Sequence, residues 1–180
     1  MKYYAGIGSR TTPKDALLGF QSLGEELAKA GWILRSGNCD GADKAFQHGA
    51  NSFEPKEGQT TIQVFLPYEG YGGYDAIKDG HNYIMPPSTP EAYQIAEKYH
   101  PAWHRCNEGA RRFHARNVEI ILGHDLETEV EFVVCWCWDE NKGGTSMGIR
   151  IADSMYLPVY NFCKPDDVEK FHNDKEGWLT

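Results

Sequence analysis

Three glycine-rich turns constrain this chain more than any other feature. Each follows a short apolar run and precedes a segment of helical periodicity: Gly6-Ile7-Gly8-Ser9-Arg10, the stretch from Ser36 through Gly37, Asn38, Cys39, Asp40, Gly41 and Ala42 to Asp43, and Gly143-Gly144-Thr145-Ser146. Strand, glycine turn and helix in repeated succession is the pattern of a parallel sheet with right-handed crossovers. In such a sheet every strand-to-helix turn lies at the carboxyl edge, where ligands bind. Glycine lets the backbone approach a phosphate closely, and helix-start amides donate to it.

The elements follow from local chemistry. Tyr3 to Ile7 reads as a buried first strand. Thr12 and Pro13 mark a helix start, with Asp15 in the first turn. Ala16, Leu17, Phe20, Leu23, Leu27 and Ala30 then form one apolar face, and Gly31 ends the helix in a left-handed conformation. Trp32 to Leu34 is the second strand, residues 44–50 a short helix, and Thr61 to Leu66 the third strand, stopped by Pro67. Later come helices over 90–99 and about 106–122, a fourth strand over 129–138, a helix over 147–154, a fifth strand over 157–160 and a peripheral helix over 165–172. The expectation is one α/β domain over 1–180: a Rossmann-like, mostly parallel five-stranded sheet with helices on both faces. Residues 68–105, rich in Tyr, Gly and Pro, are read as an inserted loop or helical segment (a lid, a binding loop or an oligomer contact).

Charge narrows the function. Lys and Arg number 18 against 26 Asp and Glu, a net −8. That opposes a broad nucleic-acid footprint, which needs clustered cations, and leaves room for a small anionic ligand. The amino terminus shows no charged leader before a long apolar core, and no apolar run nears the roughly 20 residues of a membrane span. Five scattered cysteines fit reduced thiols, so a cytoplasmic setting without membrane association is expected. The turns lack both a full G-x-G-x-x-G fingerprint and the P-loop pattern, which removes ordinary hydride-transfer and NTPase readings.

Tyr4 to Arg10, Leu34 to Phe46, Phe65-Leu66-Pro67, Arg112 to Asn117, and Gly143-Gly144-Thr145 with Ile149 to Ala152 together resemble the SLOG superfamily. That superfamily includes the DNA-processing protein DprA/Smf, the LOG nucleotide phosphoribohydrolases and the YspA/YpsA-like proteins. The resemblance spans roughly residues 3–160, interrupted by 68–105. It implies a Rossmann-like domain binding a nucleotide or nucleotide derivative, usually as a homo-oligomer. The LOG members cleave N-glycosidic bonds with an acidic residue in a G-G-x-G-T-x-x-E motif. Here Ser146 and Met147 follow Thr145, and Arg150 stands at the glutamate position. Such cleavage needs a carboxylate beside an oxocarbenium-like transition state. Asp43, Asp40, Glu108 and Glu140 are the carboxylates available for that role, with Arg116 beside them as a further catalytic candidate. The alternatives are a non-catalytic sensor or sequestering protein for an NAD-derived or cyclic nucleotide, and a DprA-like single-stranded DNA binder.

The expected ligand contacts are Gly8, Ser9, Arg10, Ser36, Gly37, Asp40, Asp43, Arg112, Arg116, Asn117, Gly143, Gly144, Thr145 and Ser146. Arg10 pairs a phosphate or makes a surface salt bridge. Asp43 meets a ribose hydroxyl or caps its helix. Arg112 and Arg116, four apart, share a helix face that meets the ligand or the solvent. Tyr71, Tyr74 and Trp103 stack a base or pack the long loop onto the body. His100, His104, Cys106 and His114 suggest metal spacing, but Pro101 and Trp103 interrupt a regular helix and a fourth ligand is missing. They are read as polar surface, with no metal and no cofactor expected. Cys135 and Cys137 alternate with Trp136 and Trp138 along the fourth strand and are read as core.

Overall fold

A computed structural model describes residues 1–74, 78–79 and 82–178. Its sheet runs β1 (Lys2–Gly8), β2 (Trp32–Ser36), β3 (Ile62–Phe65), β4 (Lys78–Asp79), β5 (Asn82–Met85), β6 (Phe132–Trp136) and β7 (Val159–Asn161) along the chain. The helices are α1 (Lys14–Lys29), α2 (Ala42–Asn51), α3 (Pro90–Tyr99), α4 (Glu108–Leu122), α5 (Gly143–Ser154) and α6 (Pro165–Lys175). In space the strand order is β4-β5-β3-β2-β1-β6-β7. All neighbours pair parallel except β4 with β5.

Five strands were expected, and seven form among the described residues. The additional two come from the 68–105 segment, which therefore extends the sheet: β5 runs parallel beside β3, and β4 turns back on it. The Tyr/Gly/Pro composition hid a four-residue strand whose partner lies about twenty residues upstream. Gly80, part of the loop reading, lies outside the described residues.

Strand alternation assigns the two faces. Tyr4, Leu34, Phe132 and Val134 pack with Phe20, Leu27, Phe46 and Phe171 beneath α1, α2 and α6. Ala5, Ile7, Val133 and Cys135 pack with Ala96, Val118, Ile121 and Met147 beneath α3, α4 and α5. Gly6 is required here, because a Cβ would lie 2.7 Å from the Phe46 ring.

Three boundaries move. Thr12 does not cap α1; its hydroxyl donates to the Ser9 carbonyl at 2.6 Å, and Pro13 precedes the first helical residue. α5 starts at Gly143, four residues before the expected Met147, because the glycine turn is itself the first helical turn. β6 ends at Trp136, which leaves Trp138 outside the sheet and 68% exposed rather than in the core.

Candidate functional site

The sheet reverses direction of growth at β1: β2 and β3 lie to one side, β6 and β7 to the other. A ligand crevice is expected outside the carboxyl ends of β1 and β6, at this switch point. A cavity of about 430 Å³ opens there, between the turn after β1, the segment after β6, the start of α5 and one face of α4. That volume lies in the range of small-molecule sites. A second cavity, about 590 Å³, lies near the beginnings of β1 and β2; no Asp, Glu, Lys, Arg or His side chain lines it.

Gly8, Ser9, Arg10, Asp43, Arg116, Asn117, Gly143, Gly144 and Thr145 all line the first cavity. The turns from distant parts of the chain therefore converge. Five expected contacts lie outside it. Ser36 is fully buried and donates to the Gly6 carbonyl at 2.8 Å, joining β2 to β1. Ser146 is also buried, and its hydroxyl donates back to the Gly143 carbonyl. Asp40 pairs with Lys44, and Arg112 pairs with Glu108, all at the surface. Gly37 sits behind the cavity wall, where its bare Cα makes room for Arg116. Glu108, held by Arg112, does not face the cavity.

Several amides of the first two turns are already engaged. Asp43, 4% exposed, faces the amides of Gly8, Gly37 and Cys39, the last donating at 3.1 Å. Ser9 donates its amide to the Trp136 carbonyl, and Thr11 donates to the Ser9 hydroxyl. Asp43 thus locks the β1 and β2 turns together. Burial pushes its carboxyl up, against the opposing pull of Arg116 and these amides.

Donors without a partner include the start of α5 and Arg116. The first amides of α5 have no intrahelical partner, and no side chain caps them. They carry the positive end of a twelve-residue helix. Arg116, 3% exposed, lines the same cavity. Its NH1 lies 3.8 Å from Asp43 Oδ2 and its NH2 3.3 Å from Cys39 Sγ, and the guanidinium stacks over Phe113 at 5.5 Å. Its Nε and NH1 have no hydrogen-bond partner among the described residues. The residue lines the cavity wall while these two nitrogens are buried behind it, and a buried cation with unfilled donors calls for a partner. Arg10 and Lys142, also on the wall, add positive charge at the mouth.

The aromatic wall differs from expectation. Tyr71, Tyr74 and Trp103 do not line the cavity. Tyr71 packs edge-on against Phe113 at 5.5 Å, and burial together with Cys39 pushes its hydroxyl up to about 12. Trp138 does line it, braced edge-to-face on Trp136 at 5.8 Å. The alternation that read Trp138 as core holds only as far as the strand continues. Arg150, at the position of the LOG glutamate, donates to the carbonyls of Tyr99 and Glu140 and braces α5 against α3. Glu140 pairs with Lys164 and accepts from Asn161. The carboxylates on the cavity wall are Asp43 and Asp139.

No family model matches this chain. No curated protein matches it either. Solved structures share the fold. The Chlamydomonas rheinhardtii Moco carrier protein is 19% identical with a TM-score of 0.52, over 99% of this chain and 86% of that one. TM1055, a structural-genomics target, is 18% identical at 0.50, over 88% and 72%. The Helicobacter pylori DNA processing protein A, which binds single-stranded DNA, is 17% identical at 0.54, over 99% and 74%. These likenesses establish a Rossmann-like α/β architecture, and the fold alone. Among the described residues no helix is long and apolar enough to cross a membrane.

Proposed function

We propose that this chain is a SLOG-like protein that binds a nucleoside phosphate or a related nucleotide derivative at the switch-point cavity. The observation that carries the reading is Arg116: buried, with two unfilled nitrogens, and lining the same cavity as the uncapped start of α5. The phosphate occupies the space between them, with Arg10 and Lys142 at the mouth. The base reaches outward over Trp138, whose exposed face offers a stacking platform. Binding without turnover is favoured, because Asp43 is committed to three amides and Arg150 replaces the LOG glutamate.

Calorimetry with a nucleoside monophosphate, its parent nucleoside and ribose 5-phosphate tests this. The monophosphate should bind and the nucleoside should not. Arg10→Ala should weaken binding severalfold, and Arg116→Ala by at least about tenfold, the worth of a charge-assisted contact. Equal affinity for nucleoside and monophosphate would defeat the proposal.

A hydrolytic reading rests on Asp139, the wall carboxylate closer to solvent, held below the usual range chiefly by the Asn141 amide and so ionised. Chromatographic detection of free base would favour it. DprA-like DNA binding is opposed by the net charge of −8, and a gel shift at low salt would revive it. We also propose a cytoplasmic homo-oligomer; light scattering that returns only the 20.3 kDa monomer mass would contradict the assembly.

A further inference from the structure

One cluster beside the cavity, of which His114 alone lines the wall, has no part in anion binding. His100 follows the end of α3, Cys106 precedes α4, and His114 lies in the second turn of α4. Each brings a ligand atom within 4.8 Å of the other two. Cys106 Sγ is 3.8 Å from both ring nitrogens of His100, and the two imidazole centroids are 4.2 Å apart. His104 is not a member of the cluster. The sequence grouped these three with His104 and read them as polar surface; the fold brings the three together from separate elements.

A second observation is independent of this convergence. His114 Nδ1 is buried and has no hydrogen-bond partner among the described residues, although His114 lines the cavity. A buried ring nitrogen without a partner needs an explanation, and a bound ion supplies one. Trp103 covers the rings at 6.2 and 6.4 Å.

We infer that His100, Cys106 and His114 form a three-ligand site for a thiophilic divalent cation of the zinc type, with its remaining position open to the cavity. A thiolate with two imidazoles suits zinc and disfavours magnesium or calcium, which take oxygen ligands. Structural zinc sites close with four protein ligands; sites that engage a substrate keep three and an open position. Two features oppose the cation. Arg116 and Arg150 act on the rings with like charge, which the Cys106 thiolate offsets on binding. Ala102 donates its amide to His100 Nδ1 at 3.2 Å. Coordination through that nitrogen releases the amide of half-buried Ala102 to water.

The site stands apart from the nucleotide reading, since none of its three ligands belongs to the anion cradle. It is tested on the full chain, stripped with a chelator and titrated with cobalt(II) alone. Tetrahedral visible bands and a thiolate charge-transfer band should grow in, be displaced by zinc, vanish in Cys106→Ser and persist in Cys163→Ser. The unaltered chain provides a second arm. Zinc should slow iodoacetamide labelling of Cys106 by at least about tenfold, read by peptide mass spectrometry, and leave Cys163 unchanged. Absence of the bands, bands that survive Cys106→Ser, or labelling indifferent to zinc would each overturn the site.

Discussion

Replacing Gly37 by alanine isolates what Arg116 does. An alanine Cβ at this position would lie 1.2 Å from Arg116 NH1 and 2.3 Å from Cζ. Ordinary contact requires the guanidinium to retreat by roughly 2 Å. Gly37 is not among the positive-φ residues, so the substitution adds no backbone strain of that kind. The retreat disturbs the pairing of NH1 with Asp43, from which it stands 3.8 Å. Because the clash falls on the far end of a flexible side chain, the stability loss should stay near about 1–3 kcal/mol. At about 2–4 °C per kcal/mol, the melting temperature should drop by about 2–12 °C. The binding loss should be larger in proportion: a charge-assisted contact of about 1.5–3 kcal/mol corresponds to about 10–150-fold in Kd. Calorimetry with a nucleoside monophosphate measures the second, and thermal unfolding the first. Gly19→Ala, in α1 with nothing within 4 Å of the added Cβ, is the control. It should gain up to about 1 kcal/mol in stability and leave affinity unchanged. A Gly37→Ala protein that binds like the unaltered chain would refute the placement of Arg116 in the ligand site.

Trp138→Ala should weaken a nucleoside monophosphate by about 1–3 kcal/mol and leave ribose 5-phosphate unchanged, since stacking serves only the base; calorimetry with both ligands decides. Gly144→Ala would put a Cβ 2.3 Å from Asn117 Nδ2 and prise the start of α5 from α4. Its chemical denaturation midpoint should fall with a stability loss of about 1–3 kcal/mol, and monophosphate affinity should fall with it. Glu119 is fully buried, accepting from the Ser88 hydroxyl at 2.9 Å and the Thr89 amide at 3.1 Å, and burial pushes its carboxyl up. The unfolded chain ionises there first, so this group's contribution is fully present below its ordinary value of 4.5 and is lost as pH rises toward the folded value. Glu119→Gln removes that loss. The stability advantage of the unaltered chain over Glu119→Gln should shrink from about pH 4 to about pH 7 in urea titrations; an advantage that grows would contradict the assignment.

The first three strands and two helices were legible because each local signal agreed with its tertiary role. The apolar runs of β1, β2 and β3 end in glycine or proline, and the α1 periodicity matches the face it buries. Gly31 takes the positive φ that its position suggested, 83°. The convergence of the three turns was also legible, since topology alone places strand-to-helix turns at one edge. Which amides stay free was not. Asp43 reads as a helix-start residue or ribose ligand, and only its burial among Gly8, Gly37 and Cys39 shows that it consumes donors. β5 was missed because four residues with Tyr and Asn carry little strand signal until β3 lies alongside. Trp138 was misplaced because alternation cannot say where a strand stops. His100, Cys106 and His114 were picked out with His104 but set aside, because only the fold across the α3–α4 connection shows which three meet.

The central claim is that the start of α5 and the Arg116 guanidinium hold one anion between them. Two-dimensional NMR of the backbone amides and of Arg116 Nε during titration with a nucleoside monophosphate tests it most directly. The resonances of Gly143, Gly144, Thr145 and Arg116 Nε should shift together along one saturating curve, while the Asp43-bound amides of Gly37 and Cys39 move little. Shifts concentrated on other residues, with the α5 amides and Arg116 unmoved at saturation, would contradict the claim.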